Sequence, residues 1–169
     1  ASSLSKTLAI SRQGIWKTLS KLKEDKLIIF KPVGNSKTST VIIKLNWNNP
    51  IIEKTLSLLL AKEALKQQRW MVNFAELENN VRFLILFGSI LINPREANDI
   101  DILAIVDKRN FKALDEKLLK MQTTQLKKIH LIDLTEAELG TELRRPNKAY
   151  LEALKKGTGL YGQENFIKF

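Results

Sequence analysis

Residues 86–107, LFGSILINPREANDIDILAIVD, contain the pattern that most constrains what this chain can fold into. An apolar strand is expected to end at Gly88-Ser89, and after nine intervening residues Asp99-Ile-Asp101 opens a second apolar strand. Side chains alternate along a strand, so Asp99 and Asp101 point to one face, roughly 7 Å apart, while the isoleucines that follow them face the core. Two carboxylates this close repel each other unless a cation lies between them. The pattern therefore predicts a cation site.

Mg²⁺ suits such a pair, because it takes oxygen ligands, keeps several waters and is usually completed by substrate phosphates. Two such ions can stabilise both the attacking and the leaving oxygen in nucleotidyl transfer. The turn supplies the phosphate half of the site, since Gly88 lets the backbone approach a phosphate and Ser89 adds a hydroxyl to amide donors. The stretch predicts a site for a nucleoside triphosphate (NTP) with Mg²⁺, or with Mn²⁺ in its place.

Gly-Ser followed by a short loop and Asp-x-Asp between two apolar strands resembles the nucleotidyltransferase superfamily of DNA polymerase β. The small prokaryotic members, the minimal and kanamycin-nucleotidyltransferase-like proteins, are the most similar, over residues 70–169. The resemblance implies that Gly88 and Ser89 hold the triphosphate and that Asp99 and Asp101 bind metal and are catalytic. It also implies transfer of a nucleoside monophosphate from NTP to an acceptor hydroxyl.

Two features depart from the family pattern. The family loop usually continues with a small residue, a basic residue and a glycine, whereas here it reads ILINPREAND. The family often has a third carboxylate on the next strand, here KKIHLIDL, where it acts as base for the incoming hydroxyl. Either His130 or Asp133 takes that place, and the two alternate to opposite faces, so only one points into the site. If it is His130, its imidazole is a poorer Mg²⁺ ligand and catalysis is in question.

Positive charge is concentrated in the first third of the chain. The net charge is +10, and residues 1–50 hold nine lysines and arginines against two acids. A basic unit of this kind indicates a polyanion partner, although a solvated lysine-rich surface would give the same count.

The basic segment LAISRQGIWKTLSKLKEDKLI and the two strands after it resemble prokaryotic winged helix-turn-helix regulators. The resemblance implies binding to double-stranded DNA, with a recognition helix in the major groove and a hairpin on the backbone. The alternative is a winged helix used for protein contacts or dimerisation. The residues implied in DNA binding are Ser11, Arg12, Gln13, Lys17, Lys21, Lys31 and Lys37.

The whole chain is expected to be α/β (α+β), with a winged helix at residues 1–48, a connecting helical region at 49–79 and a nucleotidyltransferase-like domain at 80–169. Strands are predicted at 81–87, 99–106 and 127–134, in a mixed sheet flanked by helices. Thr135 and Glu138 form a predicted capping box. After a helix that ends at Gly157, a turn into a last extended segment is expected.

Composition excludes several classes of protein. The chain has no cysteine, which rules out disulfides and Cys-based zinc sites, and no run of about 18 apolar residues, so no membrane partner is expected. A cytoplasmic protein is the default, and duplex readers commonly form homodimers. Two functions stay open: a DNA-binding nucleotidyltransferase, or a transcriptional regulator whose second domain is inactive and serves nucleotide sensing or dimerisation.

Overall fold

The computed structural model of the chain describes residues 2–33, 40–144 and 148–168. The fold is mixed α/β, with a mixed four-stranded sheet flanked by helices. The chain divides into two compact units, residues 1–55 and residues 56–169. Their boundary falls inside the predicted connecting region, residues 49–79, so this region is shared between the two units.

The elements found in the described residues alternate between helices and strands along the chain. The helices are α1 (Ser2–Leu8), α2 (Arg12–Glu24), α3 (Pro50–Ala64), α4 (Gln68–Phe74), α5 (Phe111–Gln122), α6 (Glu136–Arg144), α7 (Lys148–Lys156) and α8 (Gln163–Lys168). The strands are β1 (Ile28–Val33), β2 (Thr40–Leu45), β3 (Phe83–Phe87), β4 (Asp99–Ile105), β5 (Lys128–Leu134) and β6 (Thr158–Tyr161). Short 3-10 helices occur at Leu65–Gln67, Ala75–Asn80, Ser89–Leu91 and Lys108–Asn110. Within the described part, no helix is both long and apolar enough to cross a membrane.

The N-terminal unit contains α1, α2 and the antiparallel pair β1 and β2, in the order that the sequence predicts. The Ser11 hydroxyl accepts a hydrogen bond from the Gly14 N–H at 3.1 Å, which caps α2. Ile15 and Leu19, one turn apart on α2, pack with Ile28 of β1 in a small core. The opposite side of α2 is left to solvent.

The helical region after the hairpin begins at Pro50, where a missing N–H costs nothing in a first helical turn. Asn49 precedes it, and its side-chain oxygen accepts a hydrogen bond from the N–H of Ile51 at 3.0 Å. The sequence predicts that the helix in this region is interrupted either at 60–62 or at 67–69. The structure interrupts the helix with the 3-10 turn at Leu65–Gln67, next to the second alternative.

The sheet has the strand order β5-β4-β3-β6, with β3 antiparallel to both its neighbours and β4 parallel to β5. The predicted central strand β3 is therefore paired on both edges. One face, which includes Leu86 and Ile102, packs against α4 and α5. The other, which includes Ile85 and Leu103, packs against α6, α7 and α8. Both faces are covered, as expected for an uninterrupted apolar strand.

The C-terminal segment differs in part from the sequence expectation. It continues from α7 into the edge strand β6, but the chain then forms the helix α8 and does not remain extended. Gly162 makes this turn possible with a φ of 72°, in the left-handed region that glycine enters without strain. A Cβ there would also overlap the backbone of Arg82. The Gly162 carbonyl then accepts the N–H of Phe166, which starts the helix.

Candidate metal and phosphate site

The strand β4 places the two predicted metal ligands on one face of the sheet. Asp99 and Asp101 are partly exposed, whereas Ile100 and Ile102 on the other face are completely buried. The alternation that the sequence predicts is therefore confirmed, and the core residues fix the direction of both carboxylates.

His130 lies beside these carboxylates because β4 and β5 are parallel and pair Asp101 with His130. Its Nδ1 atom is 3.4 Å from Asp99 Oδ2 and 3.5 Å from Asp101 Oδ1. One ligand atom from each of the three residues lies within 4.8 Å of the other two. This spacing allows one cation to contact all three side chains.

Asp133, the alternative third residue, lies on the opposite face of β5, where its register partner is Ala104. Burial raises the pKa of the Asp133 carboxyl, and the acids Asp115 on α5 and Glu138 on α6 raise it further. Of the two residues that the sequence leaves open, the structure brings only His130 to Asp99 and Asp101.

The turn after β3 reaches the same place, since Phe87 at the end of β3 pairs with Asp101. Gly88 follows with a φ of 82°, a conformation that L side chains rarely adopt. A Cβ on Gly88 would overlap Asp101 Oδ2, so the backbone of the turn lies directly against this carboxylate. Ser89, which is exposed, starts the following 3-10 turn.

The first residues of the loop after Gly-Ser are folded onto the core. Ile90 is only 1% exposed and belongs to the cluster beneath the sheet. The Ser89 carbonyl accepts hydrogen bonds from the N–H groups of Ile92 at 3.0 Å and of Asn93 at 2.9 Å. The apolar residue after Gly-Ser therefore has a packing role, because Ile90 anchors the turn that carries Ser89.

Lys127 holds the other end of this loop. Its ammonium donates to the Arg95 carbonyl at 3.4 Å and to the Ala97 carbonyl, just before β4 begins. Neither Ile90 nor Lys127 was identified from the sequence. The apolar run of residues 90–92, directly after Gly-Ser, is the sequence signal that could have pointed to such an anchor.

The electrostatics of the site favour a bound cation. Burial raises the pKa of the Asp101 carboxyl, the charge of Asp99 raises it further, and His130 offsets part of the rise. A divalent ion between the carboxylates would remove this repulsion and replace the lost hydration. The two carboxylates fit Mg²⁺ or Mn²⁺, since both ions take oxygen ligands.

Six of the seven residues predicted to contact DNA lie at α2 or on β1 of the N-terminal unit. Arg12, Gln13, Lys17 and Lys21 are exposed on α2, and Lys31 is exposed on β1. Ser11 serves as the N-cap of α2. Lys37 lies outside the described residues. All six of the predicted residues that the structure describes, Ser11 included, are therefore exposed to solvent.

Comparisons of the chain with protein-family models, with curated proteins and with solved structures find no match.

Proposed function

We propose that the chain is a divalent-metal-dependent nucleotidyltransferase joined to a DNA-binding unit. The observation that carries the proposal is the meeting of the Gly88-Ser89 turn with Asp99, Asp101 and His130 at one end of the sheet. A backbone turn that can approach a phosphate lies there against carboxylates that favour a cation. This combination is what binding of a nucleoside triphosphate with its metal requires.

Asp99 and Asp101 would hold Mg²⁺ or Mn²⁺, which when bound screens the phosphate charge and orients the triphosphate. Gly88 and Ser89 would place backbone and hydroxyl donors at the phosphates. An acceptor oxygen then forms a bond to the α-phosphorus, the bond to the bridging oxygen breaks, and pyrophosphate leaves. The acceptor proton would leave to solvent, because Asp99 and Asp101 are both engaged with the metal.

The DNA-binding part of the proposal rests on α2 and on charge. Gln13, Lys17 and Lys21 lie on the side of α2 opposite its packed residues Ile15 and Leu19, with their side chains in solvent. A helix with such a basic surface suits a major groove, where amide and ammonium groups meet base edges and phosphates. The small helical unit with its hairpin supports a winged helix that binds duplex DNA. A homodimer in the cytoplasm is part of the proposal.

The test is calorimetry of ATP, GTP, CTP and UTP, each with and without Mg²⁺ or Mn²⁺. We expect metal-dependent binding of at least one nucleotide by the wild type and its loss in Asp101→Asn. Asp133→Asn, on the opposite face of the adjacent strand, is the matched control and should bind like the wild type. If no nucleotide binds with either ion, the proposal fails. If a nucleotide does bind, the labelled form of that NTP is used to identify the acceptor.

A second function is favoured by one observation, namely that His130 and not Asp133 lies beside Asp101. In the family that the chain resembles, a third carboxylate is often expected at this place. In this case the domain binds nucleotide and metal without transferring a nucleotide, and the chain is a transcriptional regulator that senses the nucleotide or dimerises. Metal-dependent binding without release of pyrophosphate in the presence of DNA, protein and small-molecule hydroxyl acceptors would favour this function over the first.

A further inference from the structure

We infer that Asp99, Asp101 and His130 form a three-ligand site that prefers a transition-metal ion, with Zn²⁺ as its tightest common occupant, over Mg²⁺. The inference rests on the metal site of the proposed function and specifies its ion. It names His130 as a metal ligand, a role that the proposed chemistry does not require.

The donor atoms carry the first step of the argument. Two carboxylate oxygens and one imidazole nitrogen lie within 4.8 Å of one another, so small side-chain movements let them share one ion. Mg²⁺ takes oxygen ligands almost exclusively, whereas Zn²⁺ and other late transition ions accept imidazole and carboxylate together. Three protein ligands with a fourth position left open are typical of a zinc site that also binds a water or a substrate.

The orientation of His130 carries the second step. Its Nδ1 atom is 3.4 Å from Asp99 Oδ2 and 3.5 Å from Asp101 Oδ1, so the imidazole edge is turned towards both carboxylates. The parallel pairing of β4 with β5 sets this direction, and the buried Ile129 and Ile100 on the other face hold the two strands in register. An ion bound between the carboxylates would therefore meet a nitrogen donor with little rearrangement.

The composition of the chain makes the inference unusually easy to test. The sequence contains one histidine and no cysteine, so imidazole coordination can come from His130 alone, and no thiolate competes for zinc. In the untagged chain of 169 residues labelled with ¹⁵N, we expect Zn²⁺ to shift the imidazole nitrogen resonances at one equivalent. With Mn²⁺ as the probe, pulsed electron paramagnetic resonance should show coupling to a histidine nitrogen.

Calorimetry without nucleotide measures the preference itself. We expect the wild type to bind Zn²⁺ more tightly than Mn²⁺, and Mn²⁺ more tightly than Mg²⁺. His130→Asp replaces the nitrogen by a carboxylate, and should weaken Zn²⁺ binding by about tenfold or more while strengthening Mg²⁺ binding. Asp133→Asn is the control on the opposite face of β5 and should leave the Zn²⁺ and Mg²⁺ affinities as they are.

The inference is overturned if Zn²⁺ leaves the imidazole resonances unchanged, a result that needs no variant and so does not depend on whether His130→Asp folds. It is also overturned if His130→Asp keeps the wild-type preference for Zn²⁺ over Mg²⁺. Failure here is distinct from failure of the proposed function. Binding of Mg²⁺ with NTP but no signal from His130 would remove only the inference, whereas zinc coordination by His130 without any nucleotide binding would remove only the function.

Discussion

The Cα of Gly88 lies directly against the Asp101 carboxylate, so closely that a Cβ on Gly88 would overlap Asp101 Oδ2. Gly88 also has a φ of 82°, where an L side chain is strained. Two independent constraints therefore require glycine at this position, one from the backbone and one from the carboxylate. The second constraint links the Gly88 turn to Asp101, because the turn leaves no room for a side chain beside this carboxylate.

Gly88→Ala is expected to lower both the metal affinity and the free energy of unfolding, with the larger effect on metal affinity. The added methyl group must displace Asp101 Oδ2, so metal affinity should fall by about tenfold or more. The strained φ should also lower the free energy of unfolding, by about 1 kcal/mol or more. Calorimetry with Mn²⁺ and urea unfolding measure the two effects.

Gly159→Ala is the matched control, since a Cβ on Gly159 meets nothing within 4 Å. It should bind Mn²⁺ like the wild type. Equal metal affinity in Gly88→Ala and Gly159→Ala would show that the contact between Gly88 and Asp101 has no effect on metal binding.

Lys127 is expected to stabilise the loop that leads into the site. Its ammonium donates to the carbonyls of Arg95 and Ala97, and a hydrogen bond from a charged donor contributes about 1.5–3 kcal/mol. Lys127→Met keeps the aliphatic stem and removes the donor, so the free energy of unfolding should fall within this range. The neighbouring Lys128→Met, at an exposed position, should change it far less. Similar urea midpoints for the two variants would contradict the anchoring role.

Local pattern was enough to predict much of the C-terminal unit. The strands β3, β4 and β5 follow from apolar runs and from alternation, and the capping box follows from the spacing of Thr135 and Glu138. In the structure the Glu138 carboxylate accepts the Thr135 N–H at 2.8 Å, as the motif predicts. These features depend on residues that are close together in the chain, so they can be predicted without knowing the tertiary structure.

The features that the sequence left open depend on contacts between distant segments. The choice between His130 and Asp133 is decided by the pairing of β5 with β4, and no local pattern gives a strand register. The role of Ile90 depends on a core built from several other elements. The helix α8 was missed because it begins after a glycine whose left-handed conformation accompanies packing against the backbone of Arg82.

Asp133 is expected to reduce stability near neutral pH. Burial raises the pKa of its carboxyl above the ordinary value of 3.8, so the folded chain holds this proton more tightly than the unfolded chain. Stability is therefore lost as the pH rises from the ordinary value through the raised one, and the loss persists at higher pH. Asp133→Asn removes the charge and should raise Tm at pH 7 by on the order of 1–3 °C.

The advantage of Asp133→Asn should shrink as the pH falls below the ordinary value of 3.8, because the wild-type carboxyl then becomes protonated in both the folded and the unfolded chain. Thermal unfolding in metal-free buffer between pH 3 and pH 8 measures this. A gain in Tm that is the same at every pH would mean that the carboxylate charge is not its cause.

The basic surface of α2 is expected to bind duplex DNA through phosphate contacts. Lys17 and Lys21 are exposed on the helix, and each phosphate that a lysine neutralises releases counterions from the DNA. Lys17→Ala and Lys21→Ala should each weaken binding and reduce the slope of log affinity against log salt by about one. Lys120→Ala, an exposed lysine on α5, removes the same charge from the other unit and should leave the slope unchanged. Fluorescence anisotropy on mixed-sequence duplexes between about 50 and 200 mM salt provides the slopes. If Lys120→Ala lowers the slope as much as the α2 variants, binding depends on total charge and α2 is not the DNA-binding helix.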